Sequence, residues 1–580
     1  MVNEILKKSQ NYLKENNVDF YVIPTSDFHS SEYIGEHFKL RAYFSGFTGS
    51  AGSLVIGQDE VCLWVDGRYF IQADKQVEGT NIKVMKMGQP GVLTINEYLQ
   101  KQSGKNVAFD GRLLTTKAAL EMPLPIASKQ LDLGCLWEDQ PAFKPAKAFL
   151  YDEIYCGQAR VEKITKVREL MGEATHHIIS TLDDIAWLFN IRGRDIKCTP
   201  VVYSFALITK DQSILYINDD VLSQEDLQTL QNQEITIKNY EAIYEDVKTI
   251  EGKVLLDCGT VNYSIYANLP NDVIIIDQIN PTQNLKAIKN EVEIKNTIQA
   301  HIKDGVAMTK LMYWLKNEVT TTDELEVANK ALDLRSKQPL FFDLSFESIC
   351  GYQENGALMH YQATPEDFKV INQEGLLLID SGGQYLDGTT DITRTFALGK
   401  ISEKQARDFT LVLKAVLRLS NAKFVAGMNG VQLDVLARGI IQGYGLDYRC
   451  GTGHGVGHFL GVHEGPNGFR PSHRPGTPTP CAIVPGMITT NEPGIYNEGE
   501  YGIRIENELL CVEDETTEYG TFYRFEPITF CPIDEDAINF DLLNNEELQQ
   551  LKDYQKLAFD KVQAFLTNEE RTWLENFISK

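Results

Sequence analysis

The 580-residue sequence has no CxxC pair, and its ten cysteines follow no regular spacing. That gives no disulfide framework. Most of them, such as Cys62, Cys511 and Cys531, sit in apolar or strand-like surroundings, the pattern of free thiols in a reducing compartment. Long hydrophobic runs are also missing. The most apolar stretches, 273–276 and 376–379, are only a few residues long, whereas a membrane-crossing helix needs roughly 20. The opening MVNEILKKSQNYLKENNVDF spreads charges over an amphipathic helix pattern and lacks the apolar core and cleavage site of a secretory leader. The expectation is a cytoplasmic protein with no membrane partner. Positive charge is scarce: 55 Lys and Arg face 81 Asp and Glu, a net −26. Such a chain repels phosphate backbones, which argues against nucleic acid and suits a cationic ligand such as a peptide amine, although solubility alone accounts for the charge better. There is no low-complexity tract.

What remains is ordinary globular composition, 43% hydrophobic and 23% charged, in a chain long enough for about three domains. Two N-terminal segments read as a duplicated α/β unit. In each, an apolar strand (20–24, 177–180) leads into a polar turn and short helix. A hairpin follows, turning at 57–60 in one copy and 210–213 in the other. Proline interruptions place one boundary near 141–155, and a long helix with Ile294, Ile298 and Ile302 at i+4 spacing places another near 280–290. The expected domains are 1–150, 151–285 and 286–580, the last ending in a helix over 546–566.

Three clusters carry the chemistry. In DSGGQYLDGTTDITRTF (380–396), a buried strand delivers Asp380 at its end, and Asp391 returns on the next strand. A carboxylate there is costly unless paired or bound to a cation, though Asp also simply opens turns. GTGHGVGHFLGVHEG (451–465) puts His454, His458 and His463 among glycines. Imidazole ligates metals and moves protons, while no P-loop Lys-Ser/Thr follows to support phosphate binding. TTNEPGIY (489–496) precedes YGIRIENELL (501–510), in which Ile503 and Ile505 face one way and Arg504, Glu506 and Glu508 the other. Alone this is a solvated strand face; beside the other clusters Arg504 suits a carboxylate held in place by a guanidinium. Together Asp380, Asp391, His454, Glu492 and Glu506 offer four carboxylates and one imidazole, charge-matched to two divalent cations. The oxygen-rich set favours Mn²⁺, with Co²⁺ or Zn²⁺ compatible.

These stretches, with His360-Tyr361, VHEGP and NEPG, and with IPTSDFHSSEYI, SGFTGSAG and DGRYFIQA nearer the N-terminus, resemble the pita-bread metallopeptidases, specifically the three-domain aminopeptidase P (Xaa-Pro aminopeptidase) group, over almost the whole chain. The resemblance implies an α/β (α+β) fold: two related N-terminal α/β domains and a C-terminal pita-bread catalytic domain. It implies removal of the N-terminal residue from peptides with penultimate proline, by a hydroxide bridging two metals. Asp380 and Asp391 then ligate one ion and His454, Glu492 and Glu506 the other, with Asp391 and Glu506 bridging. It casts His360, His463 and Glu492 as catalytic, His360 and His463 as holding substrate, and Tyr496 and Arg504 as supporting or substrate-proximal. A homodimer is implied as well. Cys450 stands where long members often have His; His458 or plain packing could fill that role. Prolidase or methionine aminopeptidase activity, a metal-free binding protein and a nucleotide-binding protein are the competing readings, and length favours the first-named group. The Pro-rich stretch 466–485 reads as a surface loop near the site.

Overall fold

A computed structural model describes residues 2–472 and 480–579. The chain divides into two compact units, residues 1–151 with 158–282, and 152–157 with 283–580.

The first unit contains two six-stranded sheets of the same topology. One is built from Phe20–Pro24, Ser53–Gly57, Val61–Val65, Ile82–Lys86, Val107–Ala108 and Ile126–Ser128; the other from His176–Ile179, Ser204–Thr209, Ser213–Ile217, Ile235–Asn239, Lys253–Leu256 and Ile274–Asp277. Numbered within each sheet, both run 4-3-2-1-5-6. In both, the first three strands are antiparallel neighbours and the other pairings are parallel. The duplicated hairpins read from the sequence are the second and third strands of each sheet. Their residues are buried on both faces, which explains apolar runs such as VCLWV and SILYI in place of alternation.

The second unit begins with the helix Glu291–Asn317. Asn290 caps it by accepting from Val292 N–H and Glu293 N–H, and Glu293 returns the bond in a capping box. Ile294, Ile298 and Ile302 are only half-buried satellites of two apolar clusters; the deeply buried face carries Thr297, Ala300, His301 and Asp304. The expected single isoleucine stripe is therefore displaced by a partly polar face. A three-stranded sheet is ordered Ile349–Tyr352, Leu376–Ser381, Ile392–Ala397, and a six-stranded sheet runs Lys423–Val425, Gly520–Pro527, Asn507–Thr517, Ile488–Asn491, Gly453–Gly455, Glu464–Phe469. The helices Glu403–Ser420 and Gly430–Gln442 pack their apolar faces on the larger sheet through Phe409, Leu413, Leu433 and Ala437 against Leu509 and Phe525. Two helices close the chain, Asn545–Val562 and Asn568–Phe577, and Leu551 and Tyr554 of the first join the same core.

All ten cysteines are free, and no described helix is long and apolar enough to cross a membrane. Near its two ends the Pro-rich stretch is anchored in the interior. Phe469 and Ile483 near its two ends are fully buried, because the first ends a strand and the second packs in the core; its residues 473–479 lie outside the described residues.

Candidate metal centre

The strand Leu376–Ser381 is buried at every position, so both faces are covered and Leu376–Ile379 can be uniformly apolar. That placement carries Asp380 inward, paired in register with Ile349 on one side and Thr393 on the other. Asp391 stands immediately before the neighbouring strand, and its N–H donates to Glu508 Oε1 at 2.9 Å. Thr393 Oγ1 donates to Glu506 Oε2 at 2.8 Å, and Glu506 N–H donates to Thr393 O at 3.1 Å. The two acidic clusters of the sequence thus meet through one threonine.

The glycines around His454 allow strands to approach, not phosphate. A Cβ on Gly453 would lie 1.8 Å from Thr490 O, and one on Gly455 would lie 2.2 Å from Glu464 O. The imidazole Nδ1 of His454 lies 3.0 Å from Gly455 O; donation there leaves the Nε2 lone pair free for a metal. Nε2 lies 3.4 Å from Asp391 Oδ2 and 3.7 Å from Glu492 Oε1. Donors held about 2.1 Å from a common ion stand about 3.0–3.5 Å apart, so this spacing suits ligands of one centre. Ligand atoms of Asp391, His454 and Glu506 all fall within 4.8 Å of one another. Glu492 is tied to the glycine segment by its N–H, which donates to Thr452 O at 2.8 Å.

The electrostatics also call for a cation. Burial first, and then the charges of Asp380, Glu492 and Glu508, push the Asp391 carboxyl well above its ordinary range. Burial followed by Asp391, Asp380 and Glu492 does the same to Glu506. Burial raises Glu492 as well, offset in part by His454 and Arg504. Asp380 Oδ1 is buried with no hydrogen-bond partner. Like charges this close cannot all ionise without a compensating cation, and two divalent ions supply one. The donor set therefore fits a pair of hard or borderline ions.

Arg504 organises the surroundings. Its guanidinium donates to Asp380 Oδ2 at 2.6 Å, to Tyr496 OH at 2.7 Å and to Thr393 Oγ1 at 3.1 Å. The segment 501–510 is not the solvated face it would be alone: Arg504, Glu506 and Glu508 are as buried as Ile503 and Ile505, because Asp380 and Thr393 pack against their side. His463 packs edge-on against His454, with ring centroids 4.2 Å apart at 89°. His360 follows the turn Gln353–Ala357 and precedes Tyr361, which packs on Ile349 and Leu378, two positions from Asp380. His458 is turned elsewhere, its ring nitrogens 2.9 Å from Thr297 Oγ1 and 3.0 Å from Tyr155 O, so it does not replace the histidine for which Cys450 stands. The Cys450 thiol is pushed up to about 12 by burial and by Glu492.

Sequence reasoning gave no role to Thr393, Glu508, His301 or Arg394, although it set Glu508 on the same side as Arg504 and Glu506. His301 Nε2 and Glu508 Oε2 lie 3.1 Å apart, both fully buried. Arg394 donates to Glu506 O at 2.6 Å, to Asn507 Oδ1 at 2.8 Å and to Tyr554 OH at 2.7 Å, tying the helix Asn545–Val562 to the backbone behind the site. The signal was present for the first and last: Thr393 and Arg394 stand in TDITRTF, two and three positions after Asp391.

Residues 295–513 match metallopeptidase family M24, and 521–579 match the C-terminal region of peptidase M24. Residues 5–128 and 139–293 each match a creatinase/prolidase N-terminal domain. A probable Xaa-Pro aminopeptidase P of Aspergillus flavus is 38% identical, with 99% of this chain and 92% of the relative covered. The chain belongs to metallopeptidase family M24. Another such relative, from Laccaria bicolor, is 37% identical over 98% of this M24 chain and 92% of its own. Among solved structures, an X-prolyl aminopeptidase from Caenorhabditis elegans, described as a cytosolic enzyme with a di-nuclear active site, superposes with a TM-score of 0.91 at 30% identity over 97% of this chain and 95% of its own. A Xaa-Pro dipeptidase from Bacillus anthracis superposes with a TM-score of 0.51 at 26% identity and covers 64% of this chain. The M24 chain thus has the expected pita-bread architecture behind its N-terminal α/β domains.

Proposed function

We propose that this M24 metallopeptidase hydrolyses the bond between an N-terminal residue and a penultimate proline. The observation that carries the reading is the convergence of Asp391, His454 and Glu506 within 4.8 Å, in a chain similar from end to end to Xaa-Pro aminopeptidases. A prolidase reading is less well supported, since the dipeptidase structure covers only 64% of the chain. The domains proposed are 1–150, 151–285 and 286–580, and the working state proposed is a cytoplasmic homodimer.

Asp380 and Asp391 would hold one divalent ion, and His454, Glu492 and Glu506 the other, with Asp391 and Glu506 shared between them. Mn²⁺ suits this oxygen-rich set best. When bound, such ions acidify a water near neutral pH and polarise the scissile carbonyl. Glu492, whose side chain is 22% exposed, accepts the proton of the attacking water. His463, packed against His454, and His360 donate hydrogen bonds to the substrate and to the developing oxyanion. The departing proline nitrogen is strongly basic and takes a proton as it leaves. Arg504 holds Asp380 from behind and is itself held by Tyr496 OH, so both residues support the site.

Cleavage of Arg-Pro-Pro, assayed with Mn²⁺ and with chelator, tests the reading. Mn²⁺-dependent release of arginine is expected, with Xaa-Pro dipeptides turned over more slowly than longer peptides. No cleavage with Mn²⁺ loaded, or exclusive cleavage of dipeptides, would overturn it.

A further inference from the structure

Glu324 is fully buried as the first residue of the helix Glu324–Ser336 and far in sequence from the acidic clusters, yet its carboxylate gathers an entire segment. Oε1 accepts from Tyr352 N–H at 2.8 Å and from Asn355 Nδ2 at 3.0 Å. Oε2 accepts from Tyr361 OH at 2.8 Å and from Lys369 N–H at 2.8 Å. The helix's own end adds a further tie, Glu324 N–H donating to Lys369 O at 3.2 Å. Each of these partners is a neutral donor, so the charge is stabilised by hydrogen bonding and by the positive end of its helix. All the donors lie within 352–369, and that segment carries His360. Two side chains, Asn355 and Tyr361, reach the carboxylate, and Tyr361 is the residue beside His360. Its ring is seated on Ile349 and Leu378, part of the sheet that presents Asp380.

We propose that Glu324, acting through the Tyr361 phenol, is a positioning residue that fixes His360 for substrate. The inference rests on the substrate role given to His360 above. A segment closed on one carboxylate cannot drift at His360 without breaking a charge-assisted hydrogen bond, and displacement of a catalytic group by about 1 Å can cost about a hundredfold in rate. Neither residue touches the proposed ligands, so their loss should spare the metals and weaken the use of substrate.

The test is a double-mutant cycle on the full chain loaded with Mn²⁺: Tyr361→Phe, His360→Ala and the pair, with kcat and KM for Arg-Pro-Pro and metal content by mass spectrometry. Residues sharing one network couple, whereas independent sites add. Tyr361→Phe should lower kcat/KM about tenfold with unchanged metal content, and should cost less than about twofold once His360 is alanine. Glu324→Gln, which retains the shape but sets an amide N–H₂ against N–H and O–H donors, should reproduce the loss, again only when His360 is present. An impaired His360→Ala in which Tyr361→Phe keeps its full cost overturns the positioning role while leaving the peptidase reading intact. A fully active His360→Ala overturns the role of His360 and this inference with it. Loss of metal in Tyr361→Phe would also overturn it, since the effect would then be general to the fold.

Discussion

Replacing Thr393 with valine removes one hydroxyl at nearly constant volume, and that hydroxyl sits where the two acidic clusters join. In the structure it donates to Glu506 Oε2 at 2.8 Å and accepts from Arg504 Nε at 3.1 Å, and the residue is fully buried. A hydrogen bond to a charged group is worth about 1.5–3 kcal/mol, and a buried donor left without an acceptor costs about 1–3 kcal/mol more. Part of that loss must appear where Glu506 is used, because this hydroxyl is bonded directly to its Oε2. Losing a partner of a metal-ligating carboxylate typically weakens metal binding about 10- to 100-fold, or about 1.4–2.8 kcal/mol, which lies inside this range. Titration with Mn²⁺ against a competing chelator should therefore show Thr393→Val binding about 10- to 100-fold more weakly, with Thr393→Ser close to the parent. A valine variant whose affinity stays within twofold of the parent would refute the reasoning, since Glu506 would then be held by something other than this hydroxyl.

Three further outcomes follow from the same geometry. In the metal-free protein the carboxyls of Asp391 and Glu506 are pushed well above their ordinary range. The unfolded chain releases those protons near pH about 4 while the folded chain retains them, so stability falls as pH rises above that point. Bound metal reverses the sign by taking the ionised form, and the gap in Tm between Mn²⁺-loaded and metal-free protein should be wider at pH 8 than at pH 5; an equal gap would contradict this. Gly453→Ala should destabilise by at least about 3 kcal/mol, the upper end of overpacking costs, because its Cβ would meet Thr490 O at 1.8 Å, whereas Gly67→Ala meets nothing within 4 Å and should be close to neutral in thermal unfolding. The Cys450 thiol, pushed up to about 12, remains protonated at pH 8, so iodoacetamide should leave activity intact; rapid alkylation of Cys450 with loss of activity would argue that it is an open thiolate.

How legible the molecule was depends on whether a feature is local in the chain. The paired hairpins could be read because their turns and apolar strands are contiguous, and the structure gives both copies one strand order. Asp380 was legible because a wholly apolar strand must be covered on both faces and so carries its last carboxylate inward. The glycines of 451–457 were read as permitting close approach; what they approach, Thr490 O and Glu464 O, is distant in sequence and could not be read. The same limit hid Glu324, whose partners begin 28 positions away, and Arg394, whose bond to Tyr554 spans 160 positions. A buried polar residue is recognisable only through partners that the fold supplies. The alternation over 501–510 could be read only beside the other clusters: polar residues facing one way mark a solvated face unless another polar cluster folds against them, as Thr393 and Asp380 do here.

The most direct measurement is the number of divalent ions bound per chain, by mass spectrometry of protein equilibrated with Mn²⁺, in the parent and in His454→Ala and Glu506→Ala. Two ions are expected in the parent and fewer than two in each variant, with peptide cleavage lost alongside them. A parent that binds none at saturating Mn²⁺, or variants that keep both ions and the full rate, would show that Asp380, Asp391, His454, Glu492 and Glu506 do not form the metal centre.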